Sequence, residues 1–275
     1  MSKRIAYFGP AGTYTEEAAL SYDASAQLLP LRTISAVASA VETGMADEGV
    51  VPIENSLEGS VLETLDILIH ESRLSIRREI LLPINHCLVA RPGTQVPDIQ
   101  VVFTHTQPLG QCRRFLERCF GPNLQIAASL STTDAVRQML DSDRPSAAIC
   151  SKRAAELYGA EVLASGIQDR SSNVTRFVIL AHEDHPRTGT DRTSFCFSYD
   201  DDKPGLLYEA LRIFAERGIN LSKMESRPTK EVLGRYIFLI DCHGHRTDPE
   251  VAAALESLRV QTATFKVFGS YPRED

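Results

Sequence analysis

No apolar run among the 275 residues approaches the roughly 20 needed to cross a bilayer. No signal or transit segment stands ahead of the first strand-like stretch, "RIAYFG". A membrane span and export are thereby disfavoured, and a cytoplasmic protein is expected. CxxC pairs are also missing. The six cysteines, Cys87, Cys112, Cys119, Cys150, Cys196 and Cys242, lie mostly in apolar stretches, which points to reduced structural thiols rather than disulfides or metal ligands. No stripe of lysine and arginine interrupts the charge distribution, and the formal net charge is −7. A nucleic-acid partner is disfavoured, and a small molecule is the expected one.

What is present is an alternation. With 43% apolar residues the chain can bury a substantial core, and its length suits two domains. "RIAYFG", "EGVVPIEN", "RREILLPINHCLVA", "IQVVFTH", "AAICS" and "TRFVIL" read as strands. Between them "TYTEEAALSY", "SAVASAVETGMA", "SVLETLDILIH", "PLGQCRRFLERC", "TTDAVRQMLD" and "KRAAELYG" read as helices with one apolar face. This is an α/β pattern. The charged, Pro- and Gly-bearing "HEDHPRTGTDRTS", residues 182 to 194, is the linker candidate.

Beyond it the order becomes strand, helix, strand, strand, helix, strand. Phe195, Phe197 and Tyr199 alternate with Ser194, Cys196 and Ser198; Leu207, Ala210, Leu211 and Phe214 recur at helical spacing; Val251, Leu255 and Leu258 mark a second helix. A ferredoxin-like βαββαβ module is expected, small enough to act through pairing between subunits.

The polar loops of the first part share one physical logic. "GPAGTYTEEAA" places Gly9, Gly12 and Thr13 between a strand and a helix, where backbone N–H groups and the positive end of the helix dipole favour an anion. "PIENSLEGSV" offers Glu54, Asn55 and Ser56, and "SLSTTDAV" offers Ser131, Thr132 and Thr133. Each taken alone is also what ordinary helix capping looks like. In α/β sheets such loops line the crevice where ligands bind.

"NVTRF" sharpens the point, because Arg176 cannot sit bare in a strand buried on both faces. Either it faces the crevice and a ligand carboxylate, with Thr175 beside it, or it pairs with an internal acid such as Asp169. If Thr175 and Arg176 both touch the ligand, regular strand alternation must begin after Thr175.

"GPAGTYTEEAA", "VVPIENSLEGSV", "LPINHCLVA", "STTDAV" and "GIQDRSSNVTRFVIL", in this order, resemble the signature segments of the prephenate dehydratase family, and "GINLSKMESRP" resembles its C-terminal ACT regulatory domain. The resemblance spans nearly the whole chain. It implies a two-lobed α/β catalytic domain of the periplasmic-binding-protein kind over residues 1–182, with residues 1–82 and 169–182 in one lobe and 83–168 in the other. The ACT domain would cover 190–275. Bifunctional relatives carry a chorismate mutase domain ahead of this one; with Met1 so close to the first signature, none is expected here.

The implied reaction is decarboxylative dehydration of prephenate to phenylpyruvate, water and carbon dioxide. It needs anion-binding dipoles, a cation and a donor for the leaving hydroxyl; no cofactor and no metal is expected. Carried over residue by residue, Thr175 donates to the hydroxyl and Arg176 anchors a carboxylate or holds the loop. A threonine is a feeble acid, so Thr175 hydrogen-bonds or relays a proton whose source is Glu54 or water. Asn55, Ser56, Asn173, Thr13, Thr132 and Thr133 become substrate binders, and Phe177 an apolar wall or plain core. "HTQPLGQC" departs from the family's His-Pro-Gln segment at Thr106 and Pro108, which leaves the role of His105 open. "HGH", residues 243 to 245, reads as a turn, with no third metal ligand nearby.

In the ACT-like part the resemblance implies a phenylalanine site and feedback inhibition. Gly205 offers N–H groups at a helix start, Asn220 a donor and an acceptor, and Leu206, Leu207 and Leu221 an apolar wall. Glu225, Ser226 and Arg227 shape the adjoining strand. A homodimer or homotetramer is expected, since such pockets sit between paired modules. Two other readings remain: an arogenate dehydratase, and a non-catalytic two-lobed anion sensor.

Overall fold

The structure, a computed structural model, describes residues 2–121, 124–200, 203–230 and 235–274. The chain opens with β1 (Arg4–Phe8), α1 (Tyr14–Tyr22), β2 (Gln27–Leu31), α2 (Ile34–Glu42), β3 (Glu48–Asn55) and the short β4 (Gly59–Ser60). Next come α3 (Leu62–Asp66), extended by a π-helical turn over Ile67–Glu71, and β5 (Ser75–Pro83). The middle of the chain holds β6 (Cys87–Ala90), β7 (Val101–Thr104), α4 (Thr106–Gln111), α5 (Arg113–Phe120), β8 (Gln125–Ala128), α6 (Thr132–Asp141), β9 (Ser146–Cys150), α7 (Lys152–Tyr158), β10 (Glu161–Ser165) and β11 (Val174–Ala181). The last stretch is β12 (Asp191–Ser198), α8 (Leu206–Ala215), β13 (Leu221–Pro228), β14 (Tyr236–His243), α9 (Pro249–Arg259) and β15 (Thr264–Pro272).

The described residues form three sheets, in the orders β2-β1-β3-β11-β5 with β4 beside β3, β10-β6-β9-β7-β8, and β13-β14-β12-β15. β11, late in sequence, takes a place between β3 and β5. Two stretches divide where the periodicity predicts single elements. "RREILLPINHCLVA" ends one strand at Pro83 and starts another, in a different sheet, at Cys87. In between, Ile84 N–H donates to Asn173 O at 2.8 Å and His86 N–H to Gln168 Oε1 at 3.0 Å. "PLGQCRRFLERC" breaks between α4 and α5 at Cys112, whose backbone (φ −118°, ψ 17°) leaves the helical region. Gly110 weakens the first piece, and the break leaves Gln111 as the last residue of α4. "GRYIFLIDCHGH" reads as a strand in the sequence; its first residue, Gly234, lies outside the described residues, and the strand is observed as β14 from Tyr236.

Contacts between Cα atoms divide the chain into two compact units, one of residues 1–37, 50–61 and 81–177, the other of residues 38–49, 62–80 and 178–275. In the first, β9 is buried along its whole length. Its alternating side chains feed two cores, Ala148 and Cys150 packing with Val136 and Met139, Ala147 and Ile149 with Leu88, Val102 and Leu116. This is the both-faces-covered pattern of a strand with helices on either side.

In the second, β12-α8-β13-β14-α9-β15 reproduces the expected βαββαβ order. Antiparallel pairing sets Phe195 opposite Ile240 and Phe197 opposite Phe238. With Phe214, Ala254 and Leu258 they form one core beneath α8 and α9, each large side chain contributing about 1.5–3 kcal/mol by burial. On β12 the side chain of Arg192 donates to Glu79 Oε2 of β5 at 2.6 Å, where Glu79 is fully buried. Five of the six thiols are buried and free, and Cys119 is exposed and free.

Candidate active site

The first unit brings β3, the loop before β11 and the end of α4 together through side-chain amides. Asn55 closes β3. Its Oδ1 accepts from the backbone N–H groups of Leu57 (2.9 Å) and Glu58 (3.1 Å), so its Nδ2 must point the other way. That nitrogen donates to Asn173 Oδ1 and to Thr175 Oγ1, both at 2.8 Å. Asn173 in turn donates from Nδ2 to Gln111 Oε1 at 2.8 Å, and Gln111 Nε2 donates to Glu58 Oε1 at 3.2 Å. Ser56 staples the same loop: its hydroxyl donates to Ser172 O (2.8 Å) and accepts from Val174 N–H (3.0 Å).

Thr175 is 9% exposed and Asn173 1%, so the hydroxyl sits at a narrow opening floored by satisfied amides. Because Oγ1 accepts from Asn55, the hydroxyl proton is left over. Among the described residues no protein group accepts it. A hydroxyl that accepts a charge-neutral amide bond while keeping its own proton is polarised toward donation.

Arg176 turns elsewhere. Its guanidinium pairs with Glu54 Oε2 at 3.0 Å, not with Asp169; Asp169 Oδ2 accepts from Arg114 N–H. β11 is regular from Val174, so Thr175 and Arg176 fall on opposite faces by strand alternation, as do Asn55 and Glu54 on β3. The condition under which both would touch one ligand, alternation that begins only after Thr175, is not met: neighbouring positions on one strand meet neighbouring positions on another, Thr175 with Asn55 and Arg176 with Glu54. Phe177 is 2% exposed and belongs to the core.

The glycine loop after β1 uses its polar groups internally. Thr13 caps α1, accepting from Glu16 N–H, and donates to Pro10 O at 2.9 Å. Gly12 has φ +87°, and a Cβ there would lie 3.2 Å from both Thr133 Oγ1 and Ala154 Cα, so glycine is required for the approach as well as the backbone. Thr133 donates to Ala11 O (3.0 Å) and Ser151, the cap of α7, to Gly12 O (2.8 Å). Ser131 caps α6 and Thr132 opens its first turn. Three helix starts thus meet at this loop, with the hydroxyls of Thr13 and Thr133 committed to it.

Residues that sequence reasoning passed over complete the network. His86 is 2% exposed and sets Nε2 at 2.9 Å from Gln111 Oε1. The hydroxyl of Tyr14 donates to Asn85 O at 2.8 Å, and its oxygen lies 3.0 Å from His86 Nδ1. Burial holds the His86 imidazole below its ordinary pKa, against the opposing bond to Gln111. Burial, then the nearby Glu17, holds the Tyr14 phenol well above its own. His105 caps α4 through Nδ1, and the residue its segment delivers to the network is Gln111. The quoted segments "LPINHCLVA" and "HTQPLGQC" contain both His86 and Gln111, so the signal was present without its meaning.

Within the second unit, Gly205 caps α8 at φ +93° with open space where a side chain would stand. Leu207 and Leu221 pack, partly buried, on the core of this module, and Leu206 is half-buried. Asn220 is exposed and its carbonyl accepts from His243 N–H at 2.9 Å. Glu225 lies 3.8 Å from Lys223, Ser226 is exposed, and Arg227 pairs with Asp66 at 3.0 Å. The "HGH" segment closes β14 at His243 and bends at Gly244, and His245 is buried, with Nδ1 at 2.7 Å from Thr247 Oγ1. Among the described residues no cluster of three or more His, Cys, Asp or Glu could hold a metal ion, and no helix is long and apolar enough to cross a membrane.

The prephenate dehydratase family model matches residues 5–185, and the ACT domain model residues 197–260. The bifunctional chorismate mutase/prephenate dehydratase of Aquifex aeolicus (strain VF5) is 42% identical over 272 residues, covering 98% of this chain and 74% of that protein. A crystal structure of prephenate dehydratase in complex with L-Phe, from Arthrobacter aurescens, superposes with a TM-score of 0.90 at 39% identity, over 98% of this chain and 90% of that one. A structure described as a novel type of quorum-quenching acylase, GqqA, gives a TM-score of 0.89 at 29% identity, over 99% and 98% of the two chains. The mixed α/β and βαββαβ parts, the signature segments around Asn55 and Thr175, and these matches agree: the chain belongs to the prephenate dehydratase family.

Proposed function

We propose that Thr175 is the group that assists departure of the ring hydroxyl when this enzyme converts prephenate to phenylpyruvate. Breaking the bond between the ring and its carboxylate releases carbon dioxide and sends an electron pair into the ring. That pair expels hydroxide, which takes one proton and leaves as water, and the ring becomes aromatic. The observation that carries this reading is the bond from Asn55 Nδ2 to Thr175 Oγ1 at 2.8 Å, which occupies the acceptor side of the hydroxyl and leaves its proton for the substrate. Water at the narrow opening restores that proton. Glu54, held by Arg176, serves the fold of the loop rather than the proton transfer.

A substrate carboxylate meets the positive end of α6, with Thr132 in its first turn, and Asn173 and Ser56 hold the loop that carries Thr175. The catalytic domain extends over residues 1–182 and the ACT domain over 190–275, in a cytoplasmic homodimer or homotetramer. Phenylalanine, present in the Arthrobacter structure, binds the ACT module around Gly205, Leu206, Leu207, Asn220 and Leu221 and inhibits.

An acylase reading, raised by the GqqA likeness, asks Thr175 to act as a nucleophile, which requires a base to take its proton. No such acceptor lies within reach of Oγ1 among the described residues, and the dehydratase reading is favoured. Ultraviolet detection of phenylpyruvate from prephenate, run beside phenylalanine formation from arogenate, tests it with purified protein. Turnover of prephenate supports the proposal; turnover of arogenate alone, or of neither, overturns it.

A further inference from the structure

The helix begun by α3 widens at Ile67. Ser72 N–H donates to Ile67 O at 2.8 Å, five residues back, where an α-helical turn would take it to Leu68 O. Leu68 O is engaged otherwise. The Lys266 ammonium reaches it from β15, and donates also to Ser72 O at 2.7 Å, with Ile69 O at 3.4 Å. An ammonium has three hydrogens, and three carbonyls meet this one. Lys266 thus stands in for the amide that Leu68 O would receive in the narrower register, and so permits the wider one.

The turn has room to change. A pocket of about 270 Å3 lies against it, with Ile69, His70, Cys196, Ser198 and Lys266 in its lining, where a close-packed interior would leave no such space. Lys266 itself is tied to the far side of its sheet. Its neighbours Phe265 and Val267 pack on the core shared with α8 and α9, and the ring of Phe265 lies 6.0 Å from that of Phe195, which stacks at 5.5 Å on Phe214 of α8. α8 is the helix that Gly205 caps.

The two ends of the segment are held differently. Beyond the turn, Glu42 Oε1 at the end of α2 accepts from Ser72 Oγ at 2.6 Å and from Arg73 N–H at 3.2 Å. Before it, Asp66 pairs with Arg227 at 3.0 Å and with Lys230 at 2.6 Å, so α3 travels with the ACT module. A change of register is therefore taken up by α3. Its first residue, Leu62, follows Val61, whose N–H donates to Ile53 O at 2.9 Å, and the preceding β4 pairs Gly59 with Asn55.

We propose that residues 62–72 form a two-register element through which the ACT module controls turnover: Lys266 on Leu68 O holds the π-helical turn, and its withdrawal lets the turn close into α-helix. Ser72 N–H then passes to Leu68 O and Glu71 N–H to Ile67 O, and α3 shifts by one residue's rise, about 1.5 Å. That shift is delivered along the chain to the turn that carries Asn55. The inference rests on control of this chain by phenylalanine through its ACT module, and it is independent of the role given to Thr175.

The test combines crystallography with inhibition kinetics. Methionine keeps the apolar stem of Lys266 and removes its hydrogens, so Lys266→Met should crystallise with Ser72 N–H on Leu68 O. By calorimetry the variant should still bind phenylalanine, with Kd within about 10-fold of wild type. Saturating phenylalanine should lower kcat/KM for prephenate by about 5–150-fold in the wild type and by about 2-fold or less in Lys266→Met, whose uninhibited kcat stays within about 5-fold. Crystal structures of the wild type with and without phenylalanine should differ at the same bond, Ser72 N–H meeting Ile67 O in one and Leu68 O in the other. Ile67 O as the partner in both, or inhibition of Lys266→Met equal to that of wild type, overturns the inference and leaves phenylalanine control standing. A wild type that phenylalanine does not inhibit takes down both. Should Lys266→Met fail to fold, the two wild-type structures decide.

Discussion

Asn55 donates to Thr175 Oγ1 at 2.8 Å while its own oxygen is pinned by two backbone N–H groups. The residue is thus a fixed adaptor between the turn after β3 and the hydroxyl on β11. Asn55→Asp keeps the shape and the pinned oxygen but sets a second oxygen against Thr175 and Asn173. It should lower kcat by about 100-fold or more, with KM changed only a few-fold and a stability loss of about 1–3 kcal/mol. Steady-state kinetics with thermal unfolding checks this. Near-normal kcat would mean that the direction of this bond is irrelevant to turnover.

Arg176 and Glu54 predict a different outcome, because their pair lies across the sheet from Thr175. Arg176→Met should destabilise the fold by removing a buried guanidinium from the partly exposed Glu54, yet keep kcat per folded molecule within about 10-fold of wild type. Denaturation curves and active-site-normalised rates separate the two effects. A loss of kcat equal to that of Thr175→Ala, in a stable variant, would place Arg176 in the reaction itself.

Much of this was legible beforehand. The alternation of Phe195 and Phe197 with small polar residues, set against helical spacing in α8 and α9, specifies βαββαβ because one face of a small sheet must be covered. The order of "PIENS" and "NVTRF" marked the two strands that meet. What could not be read was the use of each polar group. Thr13 and Thr133 look alike as ligand donors or loop caps until the carbonyls of Pro10 and Ala11 are in place. His86 and Gln111 lie 25 residues apart, and Asn55 and Thr175 120 apart, so their network exists only after three elements pack. Local pattern also misjudged continuity, running a strand through Pro83 and a helix through Cys112.

Acid should weaken the fold through His86. Burial lowers its pKa, so the unfolded chain, with an imidazole near about 6.5, binds the proton more readily than the folded one. Stability rises with pH wherever the unfolded state holds more protons. The contribution is fully present above the unfolded value and is lost as pH falls through it toward the folded one, with a slope of at most about 1.4 kcal/mol per pH unit. Urea denaturation of wild type and His86→Gln between roughly pH 7 and 5 should show a shallower decline in the variant. Parallel curves would contradict the assignment.

Phenylalanine control is expected to depend on the open start of α8. Gly205→Val fills the space beside a cap at φ +93°, and Asn220→Ala removes an exposed amide. Each should blunt inhibition by phenylalanine while uninhibited kcat stays within a few-fold of wild type; a coupling of about 1–3 kcal/mol corresponds to roughly 5–150-fold in affinity. Calorimetry on the intact chain reads the binding directly. Phenylalanine binding unchanged in both variants would move the site elsewhere.

The most direct measurement is single-turnover conversion of prephenate by Thr175→Ala and Thr175→Ser, followed by phenylpyruvate absorbance. With Asn55 still in place, the serine hydroxyl accepts the same bond and retains its proton, so most of the rate should survive; the alanine variant has neither and should lose roughly 100-fold or more. An alanine variant that turns over prephenate at the wild-type rate would contradict the account.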